Sequence, residues 1–402
     1  MCMGDGTKEH VVVIGGGGTG AATAYDLSQR GYRVTLFEQG ELTCGSTGRH
    51  HGLLHSGARY AVNDSEVARE CIQEAHILLN IAPESIEPNR GVFIALSEEE
   101  LSFRDEFMNA CEIAGIENRF VDGDTLRRME PNISAECLGG VVVPDGTLDA
   151  FRLPMYFFAG ARALGAVIRN FTRVTGFRMS GGTITGVQVR DLRTGHDETV
   201  GCDFVINTAG AWAGVIAAMA DIDLPITPAP GTMLAHKGRL VNMIIERLRP
   251  ATDGDILVPQ RNLSIIGATQ WHGRGPDDCE VPDNDIDVLA SAAAEMVPKF
   301  AELPYQKAWA AVRPLAGRAD NEADGRELSR EFAAQNHAES DGVQGMISVT
   351  GGKATTLRSM AEKTVDLFCS IAGDDTPCRS AETPLPDYRR FYTASGSEMR
   401  TA

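Results

Sequence analysis

A run of glycines between two apolar stretches sets the tightest limit on what this chain can fold into. The segment "HVVVIGGGGTGAATAYDLSQRGYRVTLFEQG", residues 10–40, opens with β-favouring residues, turns on glycines, continues as a helix-compatible stretch from Gly18 to Arg30 and re-extends as "RVTLFE". Strand, helix and strand in that order read as a βαβ unit. Gly15, Gly17 and Gly20 fill the G-x-G-x-x-G positions. The first permits a tight turn, the second lets backbone approach a pyrophosphate, and the third lets helix pack on strand. The phosphates then face the helix N-terminus at Gly18 and Thr19, where unpaired N–H groups and the dipole favour an anion. Glu38, followed by Gln39, ends the second strand where a carboxylate accepts from a ribose diol. The pattern predicts a dinucleotide site without separating NAD from FAD. The next segment does separate them, because the second strand leads into the glycine-rich "GELTCGSTGRHHGLLHSGARY" instead of into further alternating strands and helices.

That continuation holds three of the nine histidines, His50, His51 and His55, and two arginines between Thr47 and Tyr60. A metal site, a nucleic-acid patch, a flavin pocket and a polar loop are the readings to weigh. With 55 acidic against 37 basic residues the formal charge is −18, which repels phosphate backbones and anionic lipid. Adjacent histidines point apart on extended backbone, and no carboxylate or cysteine cluster is near them, so no metal is expected. The nine cysteines are scattered without a C-x-x-C pair, which argues against disulfides and thiolate cages and for a reducing cytoplasm. No apolar run approaches the ~20 residues needed to cross a bilayer. A soluble cytoplasmic chain is expected, with peripheral docking at the cytoplasmic face of a membrane left open.

Further along, apolar residues recur at helical spacing in "SEVARECIQEAHILLNIA" and "EEELSFRDEFMNACEIAG", and "GVFIALS" reads as a strand between them. A short helix comes next, stopped by Pro131, then a strand, turn and helix from "GGVVVPDGTLDAFRL", and a hairpin turning on Gly181 and Gly182. From about residue 219 to 340 the pattern becomes strands, "GTMLAHK", "DILVP", "LSIIGATQ" and "AWAAVRP", around one helix. Nucleotide-type βα elements at the start, middle and end predict one domain assembled from distant segments. The final thirty residues are polar and proline-punctuated, and read as a loosely held tail.

The motifs "TGRHHGLLHSGARYAV", "ARECIQE", "VPDGTLDAFRL", "INTAGAWA", "VRPLAG", "LSREF" and "TGGKATTLRSMAE", behind the glycine fingerprint and in this order, resemble the FAD-dependent glycerol-3-phosphate dehydrogenases of the D-amino-acid-oxidase-like flavoprotein class, in particular the large catalytic subunit of the anaerobic enzyme. The likeness covers nearly the whole chain. It implies α/β with α+β architecture: a Rossmann-like FAD-binding domain from residues 7–85, 140–218 and 340–372, and a mostly antiparallel substrate domain from 86–139 and 219–339, followed by the tail 373–402. By the same resemblance Gly15, Gly17, Gly18, Thr19, Gly20, Glu38 and Gln39 would hold the ADP half of FAD. Thr47, Gly48, His51, Gly52 and Leu53 would line the approach to the flavin, with Val174 at the adenine and Ala209 and Gly210 against the cofactor. Gly351, Gly352, Lys353, Ala354 and Thr355 would open the last helix, whose N-terminus faces the anionic edge of the reduced ring.

The substrate implied is a small phosphate ester with a secondary alcohol, sn-glycerol 3-phosphate, losing hydride from C2 to flavin N5. Arg59, Arg313, Arg330 and Lys353 would meet its phosphate and Tyr60 would donate a hydrogen bond. His55 is the candidate base. This chain departs from one branch of the family, which carries a second histidine where Met233 stands; His236, three residues on, faces the other side of an extended strand. Longer relatives continue into a cysteine-containing domain, whereas this sequence ends soon after Cys378, so a partner subunit or a quinone could each accept the electrons. Two other functions stand beside this one: a dehydrogenase of another 2-hydroxy acid such as L-2-hydroxyglutarate, whose family shares a loop like "GLLHSG", and a flavin-bearing electron-transfer subunit without its own substrate. Four cations favour the phosphate.

Overall fold

All five residues of "HVVVI" are buried, so His10–Ile14 forms a central strand with both faces covered. The computed structural model describes residues 8–250, 252–317 and 332–393. The chain runs through β1 (His10–Ile14), α1 (Gly18–Gln29), β2 (Arg33–Phe37), β3 (Leu53–Leu54), α2 (Ser65–Ile81), β4 (Ile86–Glu87), β5 (Gly91–Ala95), α3 (Glu98–Ser102), α4 (Arg104–Ala114), β6 (Arg119–Asp122), α5 (Gly123–Met129), β7 (Gly139–Val143) and β8 (Gly146–Leu148). Next come α6 (Arg152–Ala163), β9 (Val167–Arg169), β10 (Thr172–Ser180), β11 (Thr183–Asp191), β12 (Asp197–Gly201), β13 (Phe204–Asn207), α7 (Ala213–Ala218), β14 (Ile226–Lys237), β15 (Ile244–Arg247), β16 (Ile256–Gln260) and β17 (Leu263–Gly267). The last elements are α8 (Asp283–Met296), β18 (Tyr305–Ala316), β19 (Ala333–Asn336), α9 (His337–Ser340), β20 (Met346–Thr350) and α10 (Leu357–Ala372).

Among the described residues two sheets organise the molecule. The first has six strands in the order β19-β20-β13-β1-β2-β9, parallel except at β19. Strand alternation splits its core: Val11 and Val13 pack with α1, α6 and α10 on one face, while Val12 and Ile14 pack with the β10-β11-β12 sheet on the other. The second has eight strands, β18-β14-β17-β16-β15-β5-β7-β6, antiparallel except between β15 and β5. Leu289, Ala293 and Met296 of α8 cover one face, and Ala68 and Ile72 of α2 with Phe107 and Cys111 of α4 cover the other. A small sheet, β3-β8-β4, lies at the junction, where Thr147 Oγ1 on β8 donates to the Pro259 carbonyl of β16 at 3.0 Å. This is the expected architecture: a Rossmann-like sheet built from distant segments beside a mostly antiparallel one.

Pairing moves some segments across the expected divisions. Gly139–Val143 joins the eight-stranded sheet through β5, and Ala333–Asn336 joins the six-stranded one through β20. Strand β14 starts at Ile226, ahead of "GTML", because Pro228 and Pro230 sit within a ladder to the edge strand β18. The segment read as a single helix from 98 to 115 divides at Phe103. From Asp374 to Thr393 the chain is a docked strap, in contrast to the loosely held tail expected. Tyr32 Oη donates to Asp374 at 2.5 Å, Leu385 N–H to the Ile81 carbonyl at 2.9 Å, and Arg162 to the Phe391 carbonyl at 2.7 Å.

Arg358 ties the last helix to this frame. Buried with Glu74, it makes a two-pronged ion pair at 2.5 and 2.9 Å, and its Nη1 also reaches Glu362 at 2.6 Å and Ser380 at 3.1 Å. Removing one partner strands a buried charge, a loss of about 3–5 kcal/mol. Arg358→Met should therefore lower the unfolding free energy read from urea denaturation by that order, and adding Glu74→Leu should restore most of it. A double variant as unstable as the two single losses summed would contradict this coupling.

Candidate active site

After β1 the chain turns at Gly15 with φ of 109° and enters α1 at Gly18. Gly20 lies directly beneath that turn: a Cβ there would stand 2.0 Å from the Gly15 carbonyl oxygen and 2.8 Å from Thr208 Oγ1, so only glycine fits. No side chain caps α1 at Gly17 and no acid occupies its first turn, which leaves the positive end of the helix facing a cavity of about 1340 Å³. At the end of β2 the Glu38 carboxylate is fixed by the N–H groups of Gly16 and Gly40, each at 2.7 Å. Oε1 also accepts from the Cys44 thiol at 3.9 Å, and Oε2 keeps a further lone pair for a hydroxyl donor. Thr172 N–H donates to the Glu38 carbonyl at 2.8 Å, which sets buried Val174 on the cavity wall nearby. A glycine cradle, a helix start without an acidic residue, a fixed carboxylate and an apolar wall around one large cavity fit a dinucleotide.

The histidine loop crosses from this half to the second sheet. Gly18 N–H donates to Thr47 Oγ1 at 3.0 Å on one side. On the other, Ser46 Oγ donates to the Val312 carbonyl at 2.5 Å and Trp309 Nε1 to the Arg49 carbonyl at 2.6 Å, both contacts to β18. Gly52 N–H donates to His50 Nδ1 at 2.9 Å and Leu53 N–H to His51 Nδ1 at 3.2 Å. A nitrogen that accepts carries no proton, so both neutral rings hold theirs on Nε2. Burial pushes His50 down to about 4 and His51 down to about 3, with His50, Arg313 and Arg59 lowering His51 further. Both rings line the cavity as neutral groups. With each Nδ1 engaged by backbone they do not converge, and among the described residues no group of three or more His, Cys, Asp or Glu is placed to hold a metal.

Beyond the loop the cationic groups gather. The His55 N–H donates to Thr355 Oγ1 at 3.0 Å, and its ring lies 5.3 Å from that of Tyr60. Lys353 Nζ stands 4.9 Å over the Tyr60 ring, and among the described residues no carboxylate lies within ion-pair distance of it. Arg313, on β18, donates to the Thr269 carbonyl at 3.3 Å and to Gln270 Oε1 at 3.4 Å. Arg59 also reaches the cavity wall, but its guanidinium is shared with Glu246 at 3.1 Å, the Thr252 carbonyl at 3.3 Å and Asp255 at 3.6 Å. Met233 is buried among Ala235, Ile265 and Ala311, and buried His236 packs edge-on to Phe300, 4.7 Å away, off the cavity lining.

Most of the residues singled out by sequence meet on this one cavity: Gly15, Gly17, Gly18, Thr19, Glu38, Gln39, Thr47, His51, Leu53, His55, Arg59, Tyr60, Val174, Ala209, Gly210, Arg313, Gly351, Gly352, Lys353 and Ala354. Four stand behind it instead. Gly20 supports the first turn, Gly48 closes on the Thr43 carbonyl at 2.8 Å, Gly52 makes room for the Gln260 amide, and buried Thr355 anchors His55. Arg330 lies outside the described residues. The segment from Gly351 to Thr356 forms a turn before α10, which begins later than expected, at Leu357. Thr208, Trp212, Thr269 and Gln270 also line the cavity. Thr208 and Trp212 lie in the quoted "INTAGAWA", whereas Glu246 sits in "NMIIERL", an ordinary strand sequence without a signal.

A family model described as FAD dependent oxidoreductase matches residues 10–358. The A subunit of the anaerobic glycerol-3-phosphate dehydrogenase of Escherichia coli (strain K12) is 42% identical over 384 residues, 95% of this chain and 71% of that protein. The corresponding A1 subunit of Haloferax volcanii is 37% identical over 391 residues, 95% of this chain and 67% of that protein. Among solved structures, the glycerol-3-phosphate dehydrogenase of Bacillus halodurans complexed with FAD shares the fold, with a TM-score of 0.72 at 23% identity, covering 94% of this chain and 68% of that one. The chain therefore belongs to the FAD-dependent oxidoreductases, among the relatives of the anaerobic glycerol-3-phosphate dehydrogenase A subunits.

Proposed function

We propose that this chain oxidises sn-glycerol 3-phosphate to dihydroxyacetone phosphate and passes the electrons to a partner subunit or a quinone. The observation that carries the reading is that Arg313 and the contacting set Lys353, Tyr60 and His55 line the same cavity as the glycine turn and Glu38. Bound FAD supplies the two-electron acceptor for the secondary alcohol.

The chain's own groups bind and orient the substrate and move its proton. Arg313 offers a planar fork suited to a phosphate, and Lys353 adds a point charge on the same cavity wall. The Tyr60 hydroxyl donates to the ester. His55, held by its backbone to Thr355, takes the proton from the C2 hydroxyl; Met233 places no second imidazole against it. His50 and His51 give neutral Nε2–H donors, so they orient and do not act as bases. The turn before the last helix, which brings Gly352, Lys353 and Ala354 to the cavity, would set the Lys353 charge where negative charge develops on reduction. Among the described residues no helix is long and apolar enough to cross a membrane.

Anaerobic addition of sn-glycerol 3-phosphate to the FAD-loaded protein should bleach the flavin absorbance band. Bleaching by L-2-hydroxyglutarate and not by this ester would move the function to 2-hydroxy acids, and bleaching by neither would leave an electron-transfer subunit. Arg313→Ala should raise KM roughly ten- to a hundredfold, the loss of one charge-assisted pair, while FAD stays bound. Loss of FAD from that variant would place Arg313 at the cofactor instead.

A further inference from the structure

Behind Arg59 lie two carboxyl groups that the reaction above does not use. Asp145, in the turn between β7 and β8, and Glu246, on β15, are both buried, 3% and 0% exposed. Each has one oxygen satisfied: Asp145 accepts from Ser56 N–H at 2.6 Å, and Glu246 accepts from Arg59 Nη1 at 3.1 Å. Each also has one buried oxygen without a donor, Asp145 Oδ2 and Glu246 Oε1. Each carboxyl lies close enough to the other to shift its protonation. Space for the contact comes from Gly91 on β5, where a Cβ would stand 2.6 Å from Asp145 Oδ2. Two bare acceptors cannot face one another in a dry interior, and two full negative charges there would have one shared guanidinium between them. A single proton resolves both conflicts.

We propose that Asp145 and Glu246 share one proton and act as a positioning pair, setting through Arg59 the net positive charge that the cavity presents to an anionic substrate. Ser56 follows His55 in the chain, so the same pair also holds the turn that carries the candidate base. Burial raises both carboxyls in the direction this requires, opposed by the Arg59 charge. Other ionisable groups near the pair lie on the helices packed behind it and beside Arg59. Cys71 on α2 and Cys111 on α4 are both pushed up to about 12 by burial and stay neutral. Asp255 shares Arg59 and is itself held by Arg249 at 2.7 Å. With the proton in place, the pair's single negative charge faces Arg59, and Asp255 faces Arg249. When the proton leaves, a second negative charge appears behind Arg59 and weakens its pull on an anion.

The kinetic consequence rests on the phosphate-ester reading, whereas the protonation state does not. Infrared spectra of the resting FAD-loaded protein in H2O and D2O should contain the C=O stretch of a protonated acid, and the same single band should vanish in Asp145→Asn and in Glu246→Gln. No such band in the wild type, or two separate bands each lost in only one variant, would overturn the shared proton. Against sn-glycerol 3-phosphate, the wild-type KM should rise about tenfold on the alkaline side as the pair ionises, kcat changing less, and the rise should be absent in both variants. A flat wild-type profile, or a rise that persists in both variants, would overturn the role through Arg59. If the ester is not oxidised at all, the phosphate-ester reading fails and the infrared band still decides whether the proton is shared.

Discussion

The histidine loop can serve two sheets only because backbone and side chain pin it to both. Thr47 is fastened to the glycine turn of the first sheet, and Ser46 and Arg49 are fastened to β18 of the second. Leu53 and Leu54 then pair with β8, and the amide of His55 closes on Thr355 ahead of α10. Between these anchors every side chain of the loop has a fixed address relative to groups hundreds of residues away. Without them the glycine turn and Glu38 would lie on one body, Arg313 on another, and no shared cavity would hold a cofactor against a substrate. The buried Arg358–Glu74 pair does similar work one layer back, keeping α10 and its preceding turn against α2.

Charge in this cavity is managed by neutral rings and shared acids more than by accumulated cations. The chain as a whole carries −18, yet Arg59, Arg313 and Lys353 meet within one pocket. His51, near both arginines, is kept neutral by burial and by their charge, so it adds a donor without adding repulsion. Arg59 is tempered by Glu246 and Asp255, so only part of its charge reaches the pocket. Such an arrangement attracts an anion locally while the surface around it repels others.

Much of this was legible in the sequence where a residue type is dictated by local geometry. Gly15 and Gly20 have to be glycine because backbone crosses them, and strand, turn, helix and acid occur in the order that a nucleotide fold requires. The discontinuous assembly could be inferred from βα elements at both ends of the chain. Pairing partners were not legible: nothing in "GGVVV" states that it pairs with β5, and Pro228 and Pro230 conceal half of β14. The strap was hidden because its polar residues satisfy Lys8, Arg30 and Tyr32, contacts that composition does not reveal. Asp145 stood in a recognisable motif, but its partner Glu246 looked like any charged strand residue, and their pairing depends on the space at Gly91.

Loop geometry underlies the whole site, and the tautomers of His50 and His51 report it most directly. Nitrogen NMR of the FAD-loaded protein with labelled histidine should find both rings neutral, with bare Nδ1 and protonated Nε2, and neither titrating between about pH 5 and 9, where a free imidazole does. Protonated Nδ1 atoms, or ordinary titration near neutrality, would mean that backbone N–H groups do not hold these rings, and that the loop does not join the two halves of the site as described.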